Sequence, residues 1–408
     1  MADFSNIQTP SSLTTHFTAV LSPLFRTEAL YRHSNSTSPS IRRIGQVALN
    51  VYCPAEQTAE YEHLLCQEMA RKRYDYDTRQ PVKSLWFLGQ PLQQLSPAAL
   101  TELCFRFGNH FPHSDELNTV RGIAVTPSEL NRDSLALFSG LKFNCVEMYI
   151  DASVASSNRS LDKVKASLLM LADYGRIKLN CKIRFSDHSA ADYMTRLLSL
   201  LESAQCQQIE MSCTPANRPV SLSEIQLYRQ QLLTANKYFA DRGWLTCGNN
   251  CFYAPGHENH ALHQQRKLRL TPWGFQSSQV QTWLGLGVGA MSGSSGVYER
   301  NTTVALDYQQ AIAEEKPLAI TRYQLKTADA ADDDTVLTDT LQDMLCYHRI
   351  SEGAGSLGAL LAPVLAQGWL TAEDDALQLT DIGVIHLSAI CHFLLSLPNT
   401  DIYNRCNP

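Results

Sequence analysis

Two cysteines and three histidines lie close together in the middle of the chain. Cys247 and Cys251 are followed by His257, His260 and His263, so five side chains of the kind that bind zinc, iron or copper fall within 17 residues. This grouping predicts a metal or haem-iron site with Cys247, Cys251, His257 and His260 as ligands. The alternative is structural, because three residues separate the cysteines and no further cysteine follows nearby, unlike the common zinc motifs.

A glycine-rich segment at residues 284–296 is the second candidate site. Gly285, Gly287 and Gly289 alternate with larger residues, and such spacing lets the backbone approach a flat or anionic ligand. The segment has neither the Lys-Ser/Thr pair of a phosphate-binding loop nor the acidic residue that follows a Rossmann fingerprint. The alternative is a strand whose small residues make room for an element that crosses it closely.

Composition places the chain among globular proteins and argues against a polyanionic partner. Of the 408 residues, 44% are hydrophobic and 18% are charged, and the net charge is -6. This charge gives no reason to expect nucleic-acid binding. The 12 cysteines are scattered, mostly within apolar stretches, and do not form the regular array of a secreted disulfide framework. We expect them to be reduced and buried.

The first 44 residues are rich in Ser, Thr and Pro, which predicts a loose N-terminal extension. They contain no basic stretch followed by an apolar segment, and the sequence has no run of 18 apolar residues. We therefore expect a cytoplasmic protein without a membrane span.

After residue 44, short apolar runs alternate with longer amphipathic patterns. Six strands are predicted, at 46–52, 84–88, 122–125, 144–150, 177–185 and 208–212, with helical patterns between them. This alternation predicts an α/β fold with a parallel sheet, either open or curled into a barrel. A capping-box spacing at Ser221 and Glu224 predicts a long helix over 221–241. Helices around a small hairpin then predict a winged-helix-like module in the tail, without a basic patch.

Five stretches in the second half carry a family resemblance: Phe252-Tyr-Ala-Pro-Gly-His-Glu258, the segment 283–292, Asn301, Asp307-Tyr308 and Leu379-Thr-Asp-Ile-Gly383. In order and spacing they resemble the HemN family of radical-SAM coproporphyrinogen III oxidases, which also includes HemW-type haem chaperones and HutW-type haem-utilisation enzymes. The first stretch is most similar to the last two branches. The resemblance spans about residues 45 to 397. It implies a partial, TIM-like (β/α)6 barrel over 45–296 and a HemN-type C-terminal domain over 297–408.

The same resemblance implies a degenerate member, altered in the loop where an iron–sulfur cluster would bind. The family's C-x3-C-x2-C loop falls on Cys53, Gln57 and Glu60, so two of the three thiolates are replaced by an amide and a carboxylate. Oxygen ligands do not replace soft thiolates on such a cluster. We therefore expect radical-SAM catalysis to be lost and Cys53 to be a small buried residue.

The stretches that would hold S-adenosylmethionine also depart from the family pattern. The glycine-rich loop is similar to 86–91, which retains Gly89 but has Phe87 and Leu88 where backbone should approach the ligand. The acidic cofactor contact falls on Ala124, and a third family run falls on the bulkier residues 149–151. We expect neither a 4Fe-4S cluster nor S-adenosylmethionine as a cofactor.

What the resemblance then implies is a porphyrin-binding pseudoenzyme. Haem or a porphyrin would lie at the mouth of the barrel beside Gly285, Gly287 and Gly289. Tyr298, Arg300 and Arg322 would be close by, and the arginines would meet the propionates through their planar forks. We expect a haem-binding or trafficking protein whose partner is a tetrapyrrole or another small molecule.

Two alternatives stay open. The first is an oxidoreductase of tetrapyrrole metabolism with a non-standard iron–sulfur site, assembled from distant cysteines such as Cys53, Cys66 and Cys247. The second is a regulatory subunit that docks on an active homologue as its protein partner and binds no small ligand.

Overall fold

A computed structural model describes the backbone over most of the chain. The described residues are 31–33, 47–56, 58, 60–73, 82–111, 119–152, 158–175, 177–185, 191–213, 222–248, 250–271, 273–277, 282–294, 297–325, 333–350, 361–373 and 376–396. Gln57 and most of the predicted extension, residues 1–30 and 34–44, lie outside them.

The described residues form 18 strands and 12 helices. The strands are β1 (Tyr31–His33), β2 (Val47–Cys53), β3 (Val82–Gly89), β4 (Val120–Val125), β5 (Cys145–Asp151), β6 (Lys178–Phe185), β7 (Gln208–Cys213), β8 (Leu245–Cys247), β9 (Cys251–Tyr253), β10 (Leu268–Thr271), β11 (Gly274–Ser277), β12 (Thr282–Gly287), β13 (Met291–Ser294), β14 (Val297–Asn301), β15 (Ala319–Leu325), β16 (Arg349–Ile350), β17 (Leu370–Glu373) and β18 (Ala376–Leu379). The helices are α1 (Tyr61–Lys72), α2 (Pro91–Gln94), α3 (Pro97–His110), α4 (Arg132–Gly140), α5 (Asn158–Tyr174), α6 (Ala191–Ser203), α7 (Leu222–Ala240), α8 (Glu258–Gln264), α9 (Ala305–Ala313), α10 (Asp333–Tyr347), α11 (Ala362–Ala366) and α12 (Asp381–Ser396).

The six predicted strands of the first half are confirmed as β2 to β7, which pair in parallel and in chain order. Crossovers between neighbouring parallel strands are right-handed, so a sequential order places all the connecting helices on one face. We call the opposite face of β2–β7 the inner face. Apolar residues at alternate positions, such as Val146, Met148 and Ile150 of β5, join one buried core with α1 and α3–α7.

The sheet continues beyond the parallel strands at both edges. On one side it reads β2, β12, β13, β14, β15 and β1, and on the other β7, β9 and β8, which makes 13 strands. β12 pairs in parallel with β2, whereas β13–β15 and β1 are antiparallel additions. The boundary predicted between residues 296 and 297 thus falls between two neighbouring strands of one sheet. β1 lies within the predicted extension and is paired with β15 rather than loose.

The tail contains the predicted helices and hairpin. α10, α11 and α12 surround a three-stranded antiparallel sheet in the order β16-β18-β17. Their apolar side chains share a second core with β8–β11, to which Leu345, Leu387 and Ile390 belong. In the described part of the chain, every helix is too short or too polar to cross a membrane.

Candidate functional site

The loop after β2 is where a radical-SAM cluster would be held, and its single thiol points away from it. Cys53 is 2% exposed and belongs to the core on the helix side of the sheet, in step with Leu49 and Val51. Burial raises the pKa of the Cys53 thiol far above its usual range. Glu60, at the third ligand position, is exposed and adopts a left-handed conformation (φ 53°) just before α1.

The side chain of Gln94, at the end of α2, binds the backbone of this loop. Its Nε2 donates to the carbonyl oxygens of Pro54 (2.9 Å) and Glu56 (2.5 Å), and its Oε1 accepts from the backbone N–H of Thr58 (3.2 Å). The loop thus has hydrogen-bond partners within the protein for groups that would otherwise need water or a ligand.

The residues of this loop do not fit an iron–sulfur cluster. A cluster needs several thiolates, and residues 53–60 contain one buried, protonated thiol. The distant cysteines do not compensate for this. Cys66 lies on α1 beside Arg106 and Glu62, and Cys247 ends β8 at the far edge of the sheet, where it belongs to the second core. In the described segments, no three His, Cys, Asp or Glu side chains are grouped closely enough to hold a metal ion.

The expectation that Phe87 occupies the ligand space is wrong. Its ring points to the helix side and packs edge-on against Phe107 (6.1 Å) and Phe143 (5.8 Å), because side chains alternate along β3. Gly89 (φ +79°) is required by the chain itself, since a side chain there would collide with the carbonyl oxygen of Cys53.

Ion pairs line the inner face of β5, β6 and β7. Lys182 places its Nζ 3.3 Å from Oε1 of Glu147 and 3.8 Å from Oε2 of Glu210. One step nearer the carboxyl ends of the strands, Arg184 pairs with Asp151, its register partner on β5. The guanidinium carbon of Arg184 also lies 5.6 Å from the ring centre of Tyr149, at cation–π distance. We call Glu147, Asp151, Lys182, Arg184 and Glu210 the inner charge ladder.

Aromatic side chains from the neighbouring strands complete this wall. Trp86 of β3 lies across Gly122 of β4, where a Cβ would overlap its indole ring. Burial raises the pKa of the Tyr52 phenol, and the charges of Lys182 and Arg300 oppose that shift. The Glu147 carboxylate in turn holds the pKa of Lys182 above its usual range. The side chain of Lys182 is 37% exposed, so this part of the wall is in contact with water.

The inner charge ladder was not predicted from the sequence, although the alternation of polar and apolar residues in its strands indicates it. Strands buried on both faces read as continuous apolar runs, whereas β5 alternates as Cys-Val-Glu-Met-Tyr-Ile-Asp. The same alternation recurs in β6 and β7. It predicts a polar inner face. Glu147 is the register partner of Ala124, so a carboxylate lies on the strand next to this alanine.

The glycine-rich segment packs against its own chain. A side chain at Gly285 would collide with the backbone of Met291, and one at Gly287 (φ +105°) would collide with the carbonyl oxygen of Tyr52 and the hydroxyl of Tyr61. Gly289 (φ +69°) lies in the turn between β12 and β13. The packing of the chain therefore explains why glycine is required at these positions, without any ligand.

A buried carboxylate holds this turn against α1. Glu68 is fully buried and accepts hydrogen bonds from Gly287 N (2.7 Å), Asn301 Nδ2 (2.8 Å) and Tyr308 Oη (2.7 Å), and it forms an ion pair with Lys72 (2.7 Å). Two stretches of the family resemblance, Asn301 and the Tyr308 helix, are thus partners of one structural network.

The predicted propionate-binding residues are separated by the sheet. Arg322 is the register partner of Glu299 and lies 3.5 Å from it, so both are on one face. Arg300 follows Glu299 directly and points to the opposite, inner face, as does Tyr298, which is 1% exposed. Of these residues, Arg300 is the one whose charge acts on Tyr52 and the inner wall.

The predicted metal ligands are placed in structural roles. Cys247 and Cys251 face each other across the β8–β9 hairpin, and burial raises both thiol pKa values well above normal. His257 caps α8 by accepting from Asn259 N (3.1 Å), and burial lowers its pKa to about 4. His260 Nε2 lies 3.2 Å from Leu245 N and 3.0 Å from Tyr253 O.

Six parallel strands in chain order, β2–β7, with their connecting helices on one face form a (β/α)6 arrangement. The structure is similar to that of coproporphyrinogen III oxidase (HemN) from Escherichia coli, described as a radical SAM enzyme, with a TM-score of 0.70 and 18% identity over 86% of this chain and 90% of that one. The chain therefore has a HemN-like radical-SAM fold.

Other matches are more distant. The radical S-adenosylmethionine methyltransferase TsrM from Kitasatospora setae aligns with 42% of this chain and 33% of its own, at 11% identity and a TM-score of 0.26, which is too low to inform on the fold. No protein-family model and no curated protein sequence matches the chain.

Proposed function

We propose that this HemN-like protein does not carry out radical-SAM chemistry and serves instead as a haem- or porphyrin-binding or trafficking protein. The observation that carries the first half is the loop after β2, in which Cys53 is buried and protonated and Gln94 satisfies the backbone. No 5'-deoxyadenosyl radical can form without a cluster that presents an open iron to S-adenosylmethionine.

The inner face supports the second half. Lys182, Arg184 and Arg300 oppose Glu147, Asp151 and Glu210, so three cations balance three carboxylates on this wall. Trp86 and Tyr149 add flat apolar area beside the cations. A tetrapyrrole offers a flat ring for the aromatic groups and propionates for the guanidinium of Arg184. We therefore propose the inner face, and not the glycine-rich segment, as the surface that contacts the tetrapyrrole.

Anaerobic reconstitution with iron and sulfide tests the loss of catalysis. We expect the protein to stay colourless and to leave S-adenosylmethionine intact. A brown protein with about four irons per chain that cleaves S-adenosylmethionine reductively would refute this half and favour the oxidoreductase.

Hemin titration tests tetrapyrrole binding. We expect a saturable shift of the Soret band, weakened about fivefold or more in Arg184→Met, which removes one charge-assisted contact but keeps the length of the side chain. Arg196→Met is the matched control, because Arg196 is half-exposed on α6, the outer layer. A Soret shift that is absent, or that weakens equally in both variants, would refute binding at this wall. A protein that binds neither iron nor hemin would favour the regulatory subunit.

A further inference from the structure

α7, the last helix of the barrel, packs against α12 of the C-terminal module. Some buried polar atoms on these two helices have no hydrogen-bond partner among the residues that the structure describes. The guanidinium of Arg229, on α7, forms no hydrogen bond or ion pair within the described residues, although the residue is partly buried. An arginine that loses hydration without gaining a counter-charge is costly, which is why partly buried arginines are normally paired.

His386 lies on α12, which packs against α7, and is close enough to Arg229 for that positive charge to act on it. Its ring stacks on Trp369 with the centres 4.0 Å apart and the planes 4° apart, which fixes its orientation. The Nδ1 atom is buried and has no hydrogen-bond partner in the described structure. Burial and the positive charge of Arg229 lower the pKa of His386 to about 4, so the ring is neutral at pH 7 and can donate one N–H.

A third unsatisfied side chain lies on the same face of α7. Asn236 follows Arg229 by two helical turns, and both polar atoms of its amide are buried without a hydrogen-bond partner in the described part of the chain. Buried polar groups in proteins are nearly always hydrogen-bonded to protein, water or a ligand, so such a concentration requires an explanation.

We propose that Arg229 and His386 together bind a small oxyanion, a carboxylate or a phosphate group, between α7 and α12. The guanidinium supplies the positive charge and a planar fork of N–H donors, and the neutral imidazole supplies one further N–H. The stack on Trp369 holds the imidazole in place without any ligand. This site is separate from the inner face and does not rest on the proposed tetrapyrrole function.

Anion titration of the full-length protein tests the proposal. Inorganic phosphate and acetate are each titrated at constant ionic strength, with chloride as the balancing anion, and the unfolding midpoint is followed, because a ligand that binds only the folded state raises it in a saturable way. We expect saturation with at least one of the two anions, and the better anion shows whether the site prefers a tetrahedral or a planar group.

Three variants locate the effect. Arg229→Gln should weaken binding about tenfold or more, and His386→Phe, which keeps a ring over Trp369 but removes Nδ1, should weaken it by a smaller factor. Lys237→Gln is the matched control, because it removes one exposed positive charge from the same helix, and it should bind as the parent does. Hemin binding should be the same in all three.

The proposal is overturned if neither anion gives a saturable shift, or if Lys237→Gln weakens binding as much as Arg229→Gln. If Arg229→Gln does not fold, NMR line broadening of the anion that the parent binds, ³¹P for phosphate or ¹³C for labelled acetate, is compared between the parent and His386→Phe. Equal broadening in the two proteins would overturn the proposal.

Discussion

Replacing Glu68 by Gln should destabilise the protein far more than its position in an ordinary helical ion pair suggests. Glu68 and Lys72 are four residues apart on α1 at 2.7 Å, and Glu102 and Arg106 repeat that spacing and distance on α3. The difference is burial. The Glu68 side chain is 0% exposed, whereas that of Glu102 is 44% exposed.

The magnitude follows from the partners that lose an acceptor. The two oxygens of Glu68 receive four donors, and the amide nitrogen of Gln would face two of them as a further donor. Each buried donor left unsatisfied costs about 1–3 kcal/mol, and breaking a buried ion pair costs roughly 3–5 kcal/mol in all. We therefore expect Glu68→Gln to lower the free energy of unfolding by about 3–5 kcal/mol. Because the Glu102–Arg106 pair is exposed, we expect Glu102→Gln to lower the free energy of unfolding by less than about 1 kcal/mol.

Urea unfolding at pH 7, followed by circular dichroism, measures both variants against the parent. If Glu68→Gln loses no more stability than Glu102→Gln, the carboxylate does not hold the turn after β12, and our account of this network is wrong.

Two further predictions concern backbone space and pH. Gly287→Ala should destabilise the protein by about 2 kcal/mol or more, because a Cβ at φ +105° would overlap the carbonyl of Tyr52. Gly108→Ala, in a helix with open space around the glycine, should instead stabilise the protein by about 0.5–1 kcal/mol. Thermal unfolding compares the two variants, and similar shifts of the unfolding midpoint would contradict the packing described. His348, whose Nε2 lies 2.7 Å from Gly248 O, has its pKa lowered to about 4 by burial. The unfolded chain therefore takes up the proton first as the pH falls below about 6.5, so stability is lost between pH 6.5 and 4 and levels off below that. Lowering the pH from 7 to 5 should cost about 2 kcal/mol through His348, and His348→Asn, which tolerates the left-handed backbone (φ 54°), should remove that part of the dependence in urea titrations.

The strands and helices of the barrel could be predicted from the sequence because their signal is local. Apolar runs such as Val82–Gly89 are recognisable one segment at a time, and β2–β7 appear where they were expected. The β1 strand could not be predicted, since its three residues become a strand only through pairing with β15.

The predicted site residues depended on information that single segments do not carry. Arg300 and Arg322 appear equivalent in the sequence, but the register of β14 and β15 puts them on opposite faces. The glycines at 285 and 287 predict close approach correctly, but the sequence does not say that the approaching atoms belong to Met291 and Tyr52. The alternation in β5 could have revealed the inner charge ladder, because it contradicts a strand buried on both sides.

The hydrogen bonds of Gln94 with Pro54, Glu56 and Thr58 bear on how this region folds. In proteins whose loops take their shape from bound inorganic centres, folding and loading are coupled, and the empty polypeptide is incomplete. Here an amide side chain encoded in the sequence supplies the organising bonds. If the loss of the cluster that we propose holds, this region would take its shape during folding of the polypeptide, without a separate step that loads iron and sulfide.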